Sequence, residues 1–389
     1  MATAASKKVI ASTETVVIQD IRRLIDMMEV AAAAVDKSTI EILKGVLFEV
    51  EGSSLILTGS DSVTTVRVKD EGVITVLGEI KFVVPGKFFY DVIKKMPSGE
   101  IEIEINPNVS ATLRVKIGKK QPVTMQVNLL AAEQYPDFDR KPLPFRFMVK
   151  PKQLASALRM TMYAALEKNE GHILSGIHFE GRDGELRLTA TDRLRMAHMA
   201  IPLVESNEQF SNLVVSVNAV KAITKLLDDL EDDTVFEFSE NEIQLVSEKL
   251  VYQTRLVNGK FPDCSKILNS QHSSVCIINR NELMAALERA KICATASDYK
   301  TIFIELKGDA LYLKATSDGP KYDEEVQLEG GKGEVSLAAD VFLLLDAIKS
   351  ISTDQVRCKF HGQYSPVRFE PIVEDDTEQI ALVTPVRMK

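Results

Sequence analysis

"ILSGIHFEGRDGELRLTATD" (Ile173–Asp192) decides the fold, because the chain has already used nearly the same stretch once. "ILKGVLFEVEGSSLILTGSD" occupies Ile42–Asp61, and the two lie 131 residues apart from end to end with no gap. A match of that length at a constant offset marks a duplicated folding unit. The offset persists downstream, where "FVVPGKFFYDVIKKM" (Phe82–Met96) aligns with "LVVSVNAVKAITKLL" (Leu213–Leu227). A fainter third copy reads "IFIELKGDALYLKATSD" (Ile302–Asp318) and then "EVSLAADVFLLLDAIKSI" (Glu334–Ile351).

Each copy is expected to hold a helix, two strands joined by a Gly-containing turn, a strand entering a second helix, and further strands. "PKQLASALRMTMYAAL" places Leu154, Leu158 and Met162 on one helix face. "INRNELMAALERA" offers Asn279 as N-cap with Glu282 three residues on. "ELRLTA" and "ALYLKA" alternate as half-buried strands do. "IEIEINPNVSATLRVKI" alternates on both sides of "NPN", which marks a hairpin. The fold class is therefore α+β, with two helices packed on antiparallel sheet in each copy.

At 389 residues the chain suits about three domains of ~130 residues. "DFDRKPLPF" (Asp137–Phe145) and "NSQHSS" (Asn269–Ser274) read as linkers, giving expected domains 1–143, 144–272 and 273–389. An apolar share of 45% beside 26% charged residues is that of a soluble globular protein. No apolar run approaches the ~18 residues of a membrane span. "MATAASKKVIAST" has lysines without a following apolar core, so it reads as a lead-in to the first strand and not as a signal peptide. Cys264, Cys276, Cys293 and Cys358 form no C-x-x-C pair, which argues against a zinc site or disulfide framework and suits a reducing cytoplasm.

Nothing in the chain carries catalytic chemistry. The five histidines (His172, His178, His198, His272, His361) lack metal-ligand spacing, and no G-x-S-x-G elbow occurs. "GGKGE" (Gly330–Glu334) lacks the length and trailing Lys-Ser/Thr of a phosphate loop and reads as a solvent turn. Asp61 and Asp192 recur at one place in two copies; repeats in separate domains cannot converge on one site, so a turn or capping role is expected.

Charge placement says more. The formal net charge of −9, with acidic runs "DDLEDD" and "VEDDTE", disfavours a nucleic-acid partner. Yet the six expected helices (20–29, 86–96, 151–162, 217–227, 281–291, 340–350) together carry +4. Basic charge on helices within an acidic body describes either ordinary solvated faces or a positive helical surface for a polyanion. Without interleaved aromatics, such binding would be to phosphates and independent of sequence.

Three tandem helix–strand repeats, "ATDRLRMA" (190–197), "RLVNGKFPDCSKI" (255–267) and "TPVRM" (384–388) resemble the bacterial sliding clamp, the beta subunit of DNA polymerase III. The likeness covers the chain beyond its first dozen residues. It implies three repeats of the DNA-clamp fold, closed head to tail by a homodimer into a ring with helices inside and sheet outside. The implied function is a non-catalytic processivity factor in the cytoplasm that encircles duplex DNA without sequence preference. No cofactor, metal or membrane is implied. Polymerase, clamp-loader and repair proteins would dock short linear motifs in a groove between the second and third domains. Matching groove positions are Leu174, Thr191, Leu194, Arg195, Met196, Pro262, Lys266, Ile267, Tyr299, Tyr364, Pro366, Leu382, Val383, Thr384, Pro385, Val386, Arg387 and Met388, with Thr384 or Arg387 fixing a polar group of the motif. DNA-facing positions are Arg22, Arg23, Lys37, Lys87, Lys94, Lys152, Arg159, Lys168, Lys221 and Lys225. At the dimer interface Met125 and Val127 would meet Ile292 and Cys293 of the other protomer.

The chain also departs from the family's usual residues, which bears on peptide affinity and choice of partners. Arg193 and Leu194 stand in place of the usual Gly and His, Cys264 in place of Tyr, and Thr384 in place of Met; Lys389 extends the end, and the N-terminus is longer. A divergent paralogue, a plasmid- or phage-borne clamp, or a clamp-fold peptide-binding adaptor that does not encircle DNA in bulk replication stays open as the alternative.

Overall fold

A computed structural model describes residues 14–35, 38–72, 74, 79–107, 109–116, 121–138, 140–167, 171–296, 300–316, 319–373 and 378–387. The first copy runs β1 (Glu14–Ile18), α1 (Ile21–Val35), β2 (Gly45–Glu51), β3 (Ser54–Ser60), β4 (Thr64–Glu71), β5 (Ile80–Pro85), α2 (Gly86–Ile93), β6 (Ile101–Asn106), β7 (Ser110–Val115) and β8 (Val123–Asn128). The second runs β9 (Phe145–Val149), α3 (Pro151–Met162), β10 (Gly176–Arg182), β11 (Glu185–Thr191), β12 (Arg195–Pro202), the short β13 (Glu205–Ser206), β14 (Phe210–Ser216), α4 (Val217–Asp228), β15 (Thr234–Phe238), β16 (Glu242–Val246) and β17 (Leu250–Arg255). After the single turn α5 (Ser265–Leu268), the third runs β18 (Ser274–Asn279), α6 (Arg280–Ala294), β19 (Thr301–Lys307), β20 (Ala310–Thr316), β21 (Lys321–Gln327), β22 (Gly330–Lys332), β23 (Val335–Asp340), α7 (Val341–Ser350), β24 (Gln355–Phe360), β25 (Val367–Pro371) and β26 (Gln379–Val383).

The expected order holds with two additions in every copy, one of them a third strand (β4, β12, β21) between the hairpin and the strand that enters the second helix. The other is a strand (β1, β9, β18) that precedes the first helix of each copy, where sequence periodicity points only to the helix. The described residues form two compact units, one within 1–144 and 235–255, the other within 145–234 and 256–389.

In the first unit, β1-β6-β7-β8 form one antiparallel sheet, and β15-β16-β17-β4-β3-β2-β5 form a second run. The seam between copies is a regular antiparallel ladder, with Leu250 opposite Val68 and Tyr252 opposite Val66. Helix α1 buries Ile21, Leu24, Met28, Ala31 and Val35 at three- and four-residue spacing, so one face meets the sheet. Gly59 is what lets it approach, since a Cβ there would stand 2.1 Å from the Ala31 carbonyl oxygen. Phe48, Phe82 and Phe89 fill the core, the first two stacked at 4.8 Å and the third edge-on at 5.5 Å.

In the second unit, β14-β10-β11-β12-β26-β25-β24-β18-β22 form a nine-stranded sheet and β21-β20-β19-β23 a four-stranded one. The helices pair as α3 with α4 and α6 with α7, as α1 does with α2. Asn279 caps α6 through its side-chain oxygen, accepting from the amides of Asn281 and Glu282 as its position predicts. "GGKGE" departs from expectation. Its first three residues are β22, paired to β18, because at Gly331 a Cβ would crowd the Val275 carbonyl at 2.8 Å. Absence of a side chain lets this strand close.

Candidate functional site

The groove is built from a turn used twice. Asp192 accepts from the amides of Leu194 and Arg195, both at 2.9 Å, and Asp61 accepts from those of Val63 and Thr64 at 2.9 and 2.7 Å. The residue after each aspartate has positive φ, 80° at Arg193 and 76° at Ser62. The recurring aspartates therefore lock tight turns, as their placement predicts.

In the second copy this turn opens a concavity. Thr191, Arg193, Arg195 and Met196 supply one side, His172, Ile173 and Leu174 a second, and Lys260, Pro262, Asp263, Cys264 and Ile267 a third. Pro366, Leu382 and Thr384 complete a lining around about 520 Å³. Its floor is apolar: Met196, Ile380 and Leu382 are buried together, with Cys264 and Leu268 packed on them. Burial and the neighbouring Asp263 carboxylate push the Cys264 thiol up, so it serves as a neutral wall.

The loop carrying Lys260 and Pro262 is held from behind. Asn212, itself at φ 69°, donates to the Gly259 carbonyl at 3.0 Å and accepts from the Phe261 amide at 2.8 Å. His178 accepts from the Asn212 amide at 3.0 Å, and its ring stacks on Phe261 at 4.9 Å. Burial lowers the pKa of His178 to about 4, keeping it neutral and able to accept that bond.

Of the expected groove residues, Leu174, Thr191, Arg195, Met196, Pro262, Ile267, Pro366, Leu382 and Thr384 come together. Others do not line the cavity. Val383 is fully buried, pointing into the core beneath β26. Leu194 is exposed at the turn, and its carbonyl accepts from both the amide and the hydroxyl of Thr384. The Thr384 hydroxyl proton is thus already used, so what this side chain offers a ligand is its oxygen as an acceptor. Arg387 lies over the exposed Tyr364 ring at 5.8 Å, outside the lining with Pro385, Val386 and Lys266. Tyr299 and Met388 lie outside the described residues. Arg195 lines the groove with its charge engaged: it pairs with Asp192 at 3.0 Å and with Asp346 of α7, and lies over Tyr163 at 5.5 Å. His172, Ile173, Lys260 and Asp263 are lining residues that the sequence did not point to, and Arg193 and Cys264 line the cavity at positions it marked only as departures from the family; all adjoin or lie within two residues of an assigned position.

The expected DNA-facing cations divide similarly. Arg23 is held by Asp70 of β4, with Nε donating at 2.8 Å. Arg159 pairs with Asp228, and Lys152 donates to the Asp228 carbonyl at the end of α4. Arg22 lies 3.6 Å from Asp20, and Lys94 donates to Tyr90 at 3.3 Å. Lys87, Lys221 and Lys225 are exposed on α2 and α4. Lys37 and Lys168 lie outside the described residues.

Family profiles of the DNA polymerase III beta subunit match nearly end to end: the N-terminal domain at residues 16–139, the central domain at 148–263 and the C-terminal domain at 265–385. The chain belongs to the DNA polymerase III beta-subunit family, the sliding clamps. A relative named beta sliding clamp, from Halalkalibacterium halodurans, is 26% identical over 370 residues, covering 92% of this chain and 95% of that one. The crystal structure of a DNA polymerase sliding clamp from Bacillus subtilis superimposes with a TM-score of 0.88 at 22% identity, over 97% of this chain and all of that one. The DNA polymerase III beta subunit from Pseudomonas aeruginosa gives 0.85 at 24% identity, over 96% and 100%. Each of the clamp's three repeats thus has the clamp fold, and no described helix is long and apolar enough to cross a membrane.

The clamp's four expected interface residues differ in exposure. Met125 on β8 is 39% exposed and Ile292 on α6 is 75% exposed. Val127 and Cys293 belong instead to the cores of their own units. The Cys293 thiol donates to the Pro320 carbonyl at 3.1 Å. Alternation on β8 puts Met125 and Val127 on one face, but only Val127 is covered from within, which corrects its assignment as a partner contact.

Proposed function

We propose that two copies of this clamp close head to tail into a ring around duplex DNA, and that its groove docks short linear segments of the polymerase, the clamp loader and repair proteins. One recurring joint carries the reading. The third strand after the first helix of the first copy, β4, pairs with the last strand of the second copy, β17; β12, third after α3, pairs in the same way with β26, the last strand of the third copy. By the same rule β21 awaits a last strand, and β8 awaits a third. Each is a sheet edge, and an unpaired edge is a template for another strand. Exposed Met125 beside β8's edge and Ile292 on α6 supply apolar contact for that third joint.

The basic residues on α2 and α4 support phosphate contact without base reading. Ion pairs to Asp70 and Asp228 temper Arg23 and Arg159, which suits a ring held by topology, where tight phosphate contacts would impede sliding. The apolar floor of the groove supports anchoring of hydrophobic side chains from a linear motif. In this reading the clamp is a non-catalytic processivity subunit of the cytoplasm, with domains 1–143, 144–272 and 273–389.

Negative-stain imaging of the purified protein without DNA tests the ring. Closed rings with six repeats around a hole are expected. Compact monomers or open arcs at micromolar protein would overturn it and favour the peptide-binding adaptor.

A further inference from the structure

The groove's rim carries two cations that no hydrogen bond or ion pair holds among the described residues. These are Arg193 and Lys260, both exposed and both lining the cavity. Their positions are fixed from the backbone. Arg193 sits at φ 80° in the turn that Asp192 locks, a conformation that L side chains rarely adopt. Lys260 rides on the loop that Asn212 and His178 clamp. Both are long, flexible side chains projecting from rigid points.

The opposing carboxylates are already engaged. Asp192 is held by two backbone amides and by Arg195, and Asp346 by Arg195. Asp263 accepts from the Ser265 amide and lies in the field of Lys266 and Lys260. Among the residues that line the cavity, Arg193, Arg195 and Lys260 stand against Asp263 alone, so the rim is net positive above an apolar floor. A ligand fitting both parts has apolar side chains for the floor and negative charge for the rim.

We propose that this groove selects linear peptide segments carrying an aspartate or glutamate beside their apolar anchors, with Arg193 and Lys260 as the residues that read the carboxylate. The inference rests on the groove being a peptide site and deepens it by naming the chemistry of the partner segment. The strained Arg193 then has a use: glycine would relax that turn but leave no cation there.

Panning a random heptapeptide phage library against the full-length protein tests both levels separately. Clones that lose binding to Ile267→Asp, which puts a charge into the cavity, are groove ligands. Enriched groove ligands should carry Asp or Glu adjacent to Leu, Phe or Met. By fluorescence anisotropy, changing that acid to its amide should weaken binding to the unmodified clamp about 3- to 10-fold, the size of one or two exposed ion pairs. The same change should cost less than about 2-fold in the Arg193→Gly/Lys260→Ala double variant. Arg193→Gly should melt no lower than the unmodified protein, separating loss of charge from loss of fold. Groove-dependent clones without acidic enrichment, or an equal amide penalty in the double variant, would overturn the selectivity while leaving the groove standing. Absence of any groove-dependent clone would overturn both.

Discussion

Met196 of β12 stands directly opposite Leu382 of β26, so one pair of side chains is both the seam between two repeats and the floor of the groove. Both are nearly fully buried, at 5% and 3% exposure. Leu382→Ala should therefore cost about 2–4 kcal/mol in urea unfolding, as large-to-small changes in packed sites do. It should also weaken any groove ligand, because the cavity loses its floor. A stability loss with unchanged ligand affinity would show that the floor is not where anchors sit.

Arg195 should behave as a structural cation. Arg195→Ala leaves Asp192 and Asp346 facing one another without their shared guanidinium, and should destabilise the second unit by about 2–4 kcal/mol. Arg195→Lys should restore little, since one ammonium cannot bridge two carboxylates and cover the Tyr163 ring as a planar group does. Urea midpoints of the two variants check this directly.

The exposure difference at the interface predicts two kinds of variant. Met125→Asp and Ile292→Asp should give folded monomers by sedimentation velocity, with circular dichroism unchanged. Val127→Asp and Cys293→Asp should misfold, because each places a charge inside a packed core. Folded, dimeric Ile292→Asp would remove α6 from the joint.

Two histidines make stability fall in mild acid. Burial lowers both His178 and His198 to about 4; for His198 the nearby Arg187 and Arg368 act in the same direction, against Glu378 at 3.9 Å. Unfolded histidine titrates near 6.5, so the unfolded chain binds the extra protons between pH 6.5 and 4, and stability is lost as pH falls through that window. Each should contribute about 2 kcal/mol of loss between pH 7 and pH 5. His178→Gln should flatten the profile measured by urea titration at these pH values.

Repetition made the fold legible. A matched stretch at Ile42 and Ile173 implied equal units, and period and capping placed α3 and α6 closely. The leading strands escaped because five apolar-rich residues before a helix, such as "FRFMV", look like its approach. Charge counting by helix also reached its limit. Asp70 lies 47 residues from Arg23, and Asp228 closes α4 just past the expected boundary, so the ion pairs that temper those helices are tertiary. At the groove, the resemblance supplied Met196 and Leu382 of the floor but not Ile380 in the same cluster. It marked Arg193 only as a departure from the family and did not mark Lys260; that the two share one rim becomes visible only when the turn and the clamped loop bring them together.

The two sheet edges left for the third joint are unlike, a neutral β8 and a β21 rich in Asp323, Glu324 and Glu325. A joint between unlike ends has polarity, so injuries to it can complement. A protomer spoiled only at β8 and another spoiled only at β21 would each remain monomeric alone. Mixed, they would share a single sound joint and form an open two-membered arc, able to clip onto DNA from the side yet unable to stay there.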